Sequence, residues 1–85
     1  MFEIAYSKAA IKTLRSIQPK QRDNIRAKIV EFAKDPAAPN NNVIALKGRP
    51  GVRMRVGDFR VIMVVNDRTV TIEVEAVAPR GKVYR

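Results

Sequence analysis

Arg53, Arg55 and Arg60 are the residues of this chain whose type and spacing point to chemistry. They lie in the stretch GVRMRVGDFR, residues 51–60, alternating with apolar residues around the pair Gly57-Asp58. A guanidinium is a planar fork of donors that stays protonated at any working pH and matches the paired oxygens of a phosphate or carboxylate. Several of them gathered on one surface would hold an anion and stabilise charge developing on it. They would not take up a proton. Spread over a solvated sheet face, the same arginines would form exposed ion pairs of little energetic weight. Pattern alone leaves both readings open. Cysteine and histidine are absent, which excludes disulfides and thiolate metal sites and removes the commonest metal ligand and general base.

The direction of these side chains follows from the turn. With Gly57-Asp58 as a two-residue hairpin turn, Val56 opposes Phe59, Arg55 opposes Arg60, Met54 opposes Val61 and Arg53 opposes Ile62. Opposed residues share a sheet face, so the three arginines lie on one side and Met54, Val56, Phe59 and Val61 on the other. A second hairpin closing at Asp67-Arg68 would pair Val65 with Val70, Met63 with Ile72 and Val61 with Val74, continuing the apolar face. It would also set Arg60 against Glu75 and Ile62 against Glu73. A slip of two residues changes these partners and keeps the faces. Like charges directly opposed, as in Arg55 with Arg60, cost a few tenths to about 1 kcal/mol. Either Glu75 or a bound phosphate would relieve that cost.

The elements that must carry this face can be read from the periodicity. Residues 2–6, FEIAY, alternate as a short first strand. Ser7 suits the N-cap of a helix over 8–17, where Ala10, Ile11, Leu14 and Ile17 form the apolar stripe. Pro19 opens a second helix with Ile25, Ile29, Phe32 and Ala33 on its buried side, and Pro36 and Pro39 stop it. A polar connector, DPAAPNNN over 35–42, follows, and from Val43 onward the period becomes alternating. Residues 52–56, 59–66 and 69–77 read as three strands. The expected fold is α+β: a small single domain over 1–85, with an N-terminal strand and two helices packed on one face of a mainly antiparallel twisted sheet of about four strands. The other sheet face is expected to be left open.

Composition narrows the partners. The 85 residues carry a net charge of +9, with eight Lys/Arg against four Asp/Glu in residues 1–36 and nine against four in 37–85. A uniform basic excess favours a polyanion, either nucleic acid or an acidic protein. No apolar run is long enough to span a bilayer, and the start MFEIAYSKAA lacks a basic region followed by a long apolar stretch, so a cytoplasmic protein is expected with no membrane partner.

Two motifs together resemble a known family. LKGRPGVRMRVGDFRVIMVV, residues 46–65, is similar to the pattern of the RelE/ParE superfamily of toxins: Leu-x-Gly, a basic strand, Gly-Asp-aromatic-Arg and an apolar strand. The close PRGKVYR, residues 79–85, resembles the Arg-x-x-x-Tyr ending of its RelE-like branch. The order strand, two helices, three strands agrees over nearly the whole chain. The resemblance implies a toxin of a type II toxin–antitoxin system, a ribosome-dependent mRNA endonuclease (mRNA interferase) that inhibits translation, acting without metal or other cofactor. A cognate antitoxin that covers the basic face, with oligomerisation through it, is implied as partner, alongside ribosome and mRNA.

Carried over by position, Arg53 and Arg55 match the basic strand residues, Arg60 the arginine after the aromatic, Arg80 the arginine after the last strand and Tyr84 the terminal tyrosine. Arg60 and Arg80 would clamp the scissile phosphate, Arg53 and Arg55 would add charge stabilisation, and Tyr84 would stack on a base or assist proton transfer. Many relatives have lysine on the basic strand; here both positions are arginine, which leaves Tyr84 and Lys82 as the proton-transfer candidates. Lys47, Arg49, Lys82 and Arg85 are expected to contact RNA phosphates. Two other functions fit parts of the pattern: a ParE-like inhibitor of DNA gyrase, which shares the hairpin but usually lacks the terminal Arg–Tyr arrangement, and a non-catalytic basic RNA-binding protein. A terminal aromatic such as Tyr84 can also simply cover the edge of a small core.

Overall fold

Ser7 begins the architecture. Its backbone is extended and its hydroxyl accepts the Ala10 N–H at 3.0 Å, the N-cap of the first helix. In the computed structural model, which describes residues 1–79, the elements run β1 (Glu3–Tyr6), α1 (Lys8–Ser16), α2 (Pro19–Lys34), β2 (Val43–Ala45), β3 (Val52–Val56), β4 (Phe59–Asn66) and β5 (Thr71–Pro79). Pro19 opens α2, where its missing N–H would have no intrahelical partner anyway. The helix ends before Pro36, with the Asp35 N–H turned back to the Phe32 carbonyl at 3.2 Å.

The sheet order is β1-β5-β4-β3-β2, with β1 parallel to β5 and every other pairing antiparallel. That makes five strands where about four were expected. The addition is β2, three residues too short for alternation to mark, which pairs Val43 with Met54, Ile44 with Arg53 and Ala45 with Val52. Both helices lie over one sheet face. Ala10 and Leu14 of α1 and Ile25, Ile29, Phe32 and Ala33 of α2 join Met54, Val56, Phe59, Val61, Met63, Ile72, Val74 and Val77 in one buried cluster. Ile11, expected in the α1 stripe, is instead 39% exposed, because Ala10, Leu14 and Ile17 already define the inward face.

The β3–β4 hairpin has the register deduced from its turn: Val56 with Phe59, Arg55 with Arg60, Met54 with Val61 and Arg53 with Ile62. Gly57 takes φ 56° and a Cβ there would meet only open space, so glycine serves the turn conformation alone. The β4–β5 hairpin differs from expectation. Its loop covers residues 67–70, and Val65 pairs with Ile72, Val64 with Glu73 and Met63 with Val74. Asn66 causes the wider loop: its Oδ1 accepts the N–H groups of Arg68 at 3.1 Å and Thr69 at 3.2 Å, replacing a tight two-residue turn. Val70, expected within a strand opposite Val65, sits in the loop at φ 54°, with its carbonyl accepting the Glu3 N–H at 2.9 Å.

A register shift between Ile62 and Met63 makes Glu75 the extra residue of a bulge in β5. Beyond it Ile62 pairs with Ala76, Val61 with Val77 and Arg60 with Ala78, so the expected oppositions of Arg60 with Glu75 and Ile62 with Glu73 do not occur. The bulge is held by α1: the Ser7 hydroxyl donates to the Glu75 carbonyl at 2.6 Å, and the Ser7 N–H to the Val74 carbonyl at 2.9 Å.

Candidate anion-binding face

The face away from the helices divides in two. One half is covered. The loop over residues 46–51, joining β2 to β3, sends Arg49 across β4 to an ion pair with the Glu75 carboxylate on β5. Ala9, Arg49, Ile62, Glu75 and Ala76 line one hollow there, and Ile62 is only 2% exposed although it projects away from the main core. The sheet face expected to be open is therefore covered here by this strap loop, with Ile62 buried beside the Arg49–Glu75 pair and Ala9 of α1. Gly51 makes the fold-over possible: at φ 123°, a Cβ on it would lie 2.8 Å from the Met63 carbonyl oxygen and 3.2 Å from the Leu46 side chain.

The other half carries the arginines. Arg53 and Arg60 are half-buried, Arg55 is exposed, and all three line one shallow depression of about 220 Å³ together with Asn41, Asn42 and Ile44. Their placement follows from three local facts. Alternation along β3 puts Arg53 and Arg55 on the same face; the tight turn brings Arg60 opposite Arg55; and the Arg55 N–H bonds the Asn42 carbonyl at 2.8 Å, extending the β2–β3 ladder into the 40–42 loop. Arg60 Nη1 also donates to the Phe59 carbonyl at 3.3 Å. Neither Arg53 nor Arg55 has an ion-pair partner among the described residues. Charge in the depression is thus concentrated in three guanidinium groups, a donor type that suits a phosphate or a run of phosphates.

The remaining residues singled out by the sequence fall elsewhere. Lys47 is exposed on the strap loop, beside the ion-paired Arg49. Glu73 is exposed opposite Val64. Arg80, Lys82, Tyr84 and Arg85 lie outside the described residues. On the helices, Lys12, Arg15 and Arg26 are exposed, and Arg22 lies 4.0 Å from Asp23. Sequence reasoning did not single out Asn41, Asn42 or Ile44. The signal for the first two was the run Asn40–Asn42, which composition reads as connector; the signal for Ile44 was an apolar residue in register with Arg53.

No helix among the described residues is long and apolar enough to cross a membrane. No family model matches the sequence, and no curated protein gives a significant match. Solved structures do match. A chain of the archaeal RelE–RelB complex from Pyrococcus horikoshii OT3 superposes with a TM-score of 0.82 at 26% identity, over 96% of this chain and 98% of that one. The isolated E. coli RelE toxin gives 0.81 at 21% identity, over 98% and 88%. A chain of the intact E. coli RelBE toxin–antitoxin complex gives 0.80 at 21% identity, over 98% and 100%. The α+β fold of this chain is the fold of those structures, in agreement with the likeness read from the hairpin.

Proposed function

We propose that this chain, which has the fold of RelE toxins, is the toxin of a type II toxin–antitoxin pair that cleaves mRNA on the ribosome and acts in the cytoplasm. The observation that carries the reading is the convergence of Arg53, Arg55 and Arg60 on one depression of a strongly basic molecule. An RNA strand brings its own nucleophile. The 2′-hydroxyl oxygen attacks the adjacent phosphorus in line, the bond from phosphorus to the 5′-oxygen breaks, and the products are a 2′,3′-cyclic phosphate and a 5′-hydroxyl end. One proton leaves the 2′-hydroxyl and one reaches the departing oxygen.

The protein's task is to stabilise negative charge on the phosphorane-like transition state and to fix the geometry, and guanidinium forks are suited to both. Arg60 acts with Arg80 on the scissile phosphate, and Arg53 and Arg55 add charge. Tyr84 stacks on a base or assists proton transfer, with Lys82 the other group available for it. Lys47 and Arg85 contact neighbouring phosphates; Arg49 does so only by leaving its pair with Glu75. The neighbours in complex with RelB support a cognate antitoxin as partner, through which the toxin assembles and which covers the basic face.

Primer extension on an mRNA bound to translating ribosomes tests the reading. New 5′-hydroxyl ends inside coding sequence are expected with the wild type, and a loss of about 100-fold or more with Arg60→Ala, on the scale of removing one oxyanion-hole donor. If no new ends form, the nuclease reading fails; a parallel loss of DNA gyrase supercoiling would identify the gyrase inhibitor instead. If Arg80→Ala and Tyr84→Phe both leave cleavage unchanged, the roles given to those two residues are wrong.

A further inference from the structure

We infer that Asn41, Asn42 and Ile44 form a nucleobase subsite, so that the depression reads the base beside the phosphate its arginines hold. The inference rests on the single-stranded RNA substrate proposed above and adds a recognition element to it. Three observations place it. First, Asn41, Asn42 and Ile44 line the same depression as Arg53, Arg55 and Arg60, on its β2 side. Second, the side-chain amides of Asn41 and Asn42 have no hydrogen-bond partner among the described residues, whereas Asn40 spends its Oδ1 on the Asn42 N–H at 2.9 Å. The turn therefore holds the backbone that carries the two amides while leaving both free toward solvent.

Third, Ile44 is 50% exposed and directly opposite Arg53 in the β2–β3 register, so it projects from the arginine face at the sheet edge. Its neighbours in β2 explain nothing of this, since Val43 and Ala45 point to the helix side. An apolar side chain beside two cations is ill placed for water and well placed for the flat face of a base. Amides supply the donor and acceptor pair that base edges present, and arginines supply none of the acceptors. Phosphate contacts position a strand, and only contacts of this second kind distinguish one base from another.

Asn41 and Asn42 also line an adjoining hollow of about 360 Å³ on the other side of Arg55, with Lys28, Glu31 and Asp35 on its wall. A base against the asparagines therefore has room to extend away from the phosphate. That hollow sets Lys28 and Arg55 against Glu31 and Asp35, so it has no net positive charge to draw a second phosphate, and the polar, uncharged edge of a base fits it.

The test measures binding rather than cleavage, which separates it from the nuclease reading. Fluorescence anisotropy compares a labelled heptaribonucleotide with a ribose-phosphate chain of the same length lacking bases, over a series of salt concentrations. The wild type is expected to prefer the base-bearing strand by about tenfold or more, the scale of one good base contact. The variant Asn41→Ala/Asn42→Ala/Ile44→Thr is expected to lose that preference while keeping the salt slope. Arg53→Gln is expected to weaken both strands equally and to reduce the slope by about 0.7, the contribution of one phosphate on a single strand. The three substituted positions are exposed, and an unchanged thermal melt by circular dichroism confirms that folding is retained.

Equal affinity of the wild type for both strands overturns the subsite, and so does a triple variant that keeps the preference. Loss of binding to an acidic partner protein by the triple variant, with base preference intact, assigns the patch to a protein interface and also overturns it. Base preference without cleavage on ribosomes would sustain the subsite and refute the nuclease; cleavage without base preference would do the reverse.

Discussion

Ser7 supports two separate pieces of structure through one hydroxyl, and removing it has a calculable cost. Its Oγ accepts the Ala10 N–H at 3.0 Å and donates to the Glu75 carbonyl at 2.6 Å. Loss of a serine N-cap costs about 1 kcal/mol. The carbonyl of a part-buried bulge residue left without its donor adds about 1 kcal/mol more, toward the low end for an unsatisfied group. Ser7→Ala should therefore destabilise by about 2 kcal/mol. A chain of 85 residues has roughly 4–13 kcal/mol in total, so the change is a sizeable share and lowers Tm by about 8–16 °C. Urea unfolding followed by circular dichroism measures it. Ser7→Thr keeps donor and acceptor and should stay within about 0.5 kcal/mol of wild type. Ser7→Asp keeps the cap but sets an acceptor-only carboxylate against the Glu75 carbonyl, so it should cost at least the bulge contribution of about 1 kcal/mol. If Ser7→Ala costs less than about 0.5 kcal/mol, or Ser7→Asp matches wild type, the hydroxyl is not what holds the bulge.

Gly51→Ala should cost more than about 2 kcal/mol in the same assay, because its Cβ would sit 2.8 Å from the Met63 carbonyl oxygen at φ 123°, whereas Gly57→Ala, strained but unobstructed, should cost only about 1–2 kcal/mol; the reverse order would refute the close-approach argument. Val70→Asn should raise Tm by several degrees: the valine is 48% exposed at φ 54°, a conformation that costs an L-residue about 1–2 kcal/mol and that asparagine adopts more readily. Arg55→Thr should stabilise the fold by a few tenths to about 1 kcal/mol by removing a like charge opposite Arg60, and in RNA titrations should weaken binding and lower the salt slope by about 0.7.

Much of the arginine face was legible before the fold, and the reason lies in the turn. Gly57-Asp58 admits one tight register, and that register alone sorts Arg53, Arg55 and Arg60 from Met54, Val56, Phe59 and Val61. The second hairpin escaped because its geometry is decided by side chain to backbone bonds that periodicity does not carry. Asn66 widens the loop through two N–H groups, and Ser7, far away in sequence, stabilises the extra residue at Glu75. The faces before the bulge survived the error, since a slip of two preserves alternation. Past Glu75 the alternation inverts, which is why Ala76 and Ala78, and not Glu75, flank Ile62 and Arg60. The asparagines and Ile44 were invisible for another reason: a loop and a three-residue edge strand have no period from which to read a direction.

The two halves of the arginine face explain each other. Glu75 is the acidic residue that the naive register would have set against Arg60, where it would partly neutralise the arginines. The bulge moves it out of that ladder position, and Arg49 on the strap loop engages it. The same pair lies beside Ile62, with Ala9 of α1 and Ala76, and this apolar residue in the middle of the sheet is buried although it faces away from the main core. What is left uncovered is the opposed pair Arg55 and Arg60, Arg53 beside them, and the uncharged rim of Asn41, Asn42 and Ile44. Like charges directly opposed, as Arg55 and Arg60 are, carry a cost. An anion between the forks reverses the sign of that interaction. The strap thus does for the covered half what a bound polyanion would do for the open half, and the boundary between them runs along β4, from Ile62 to Arg60.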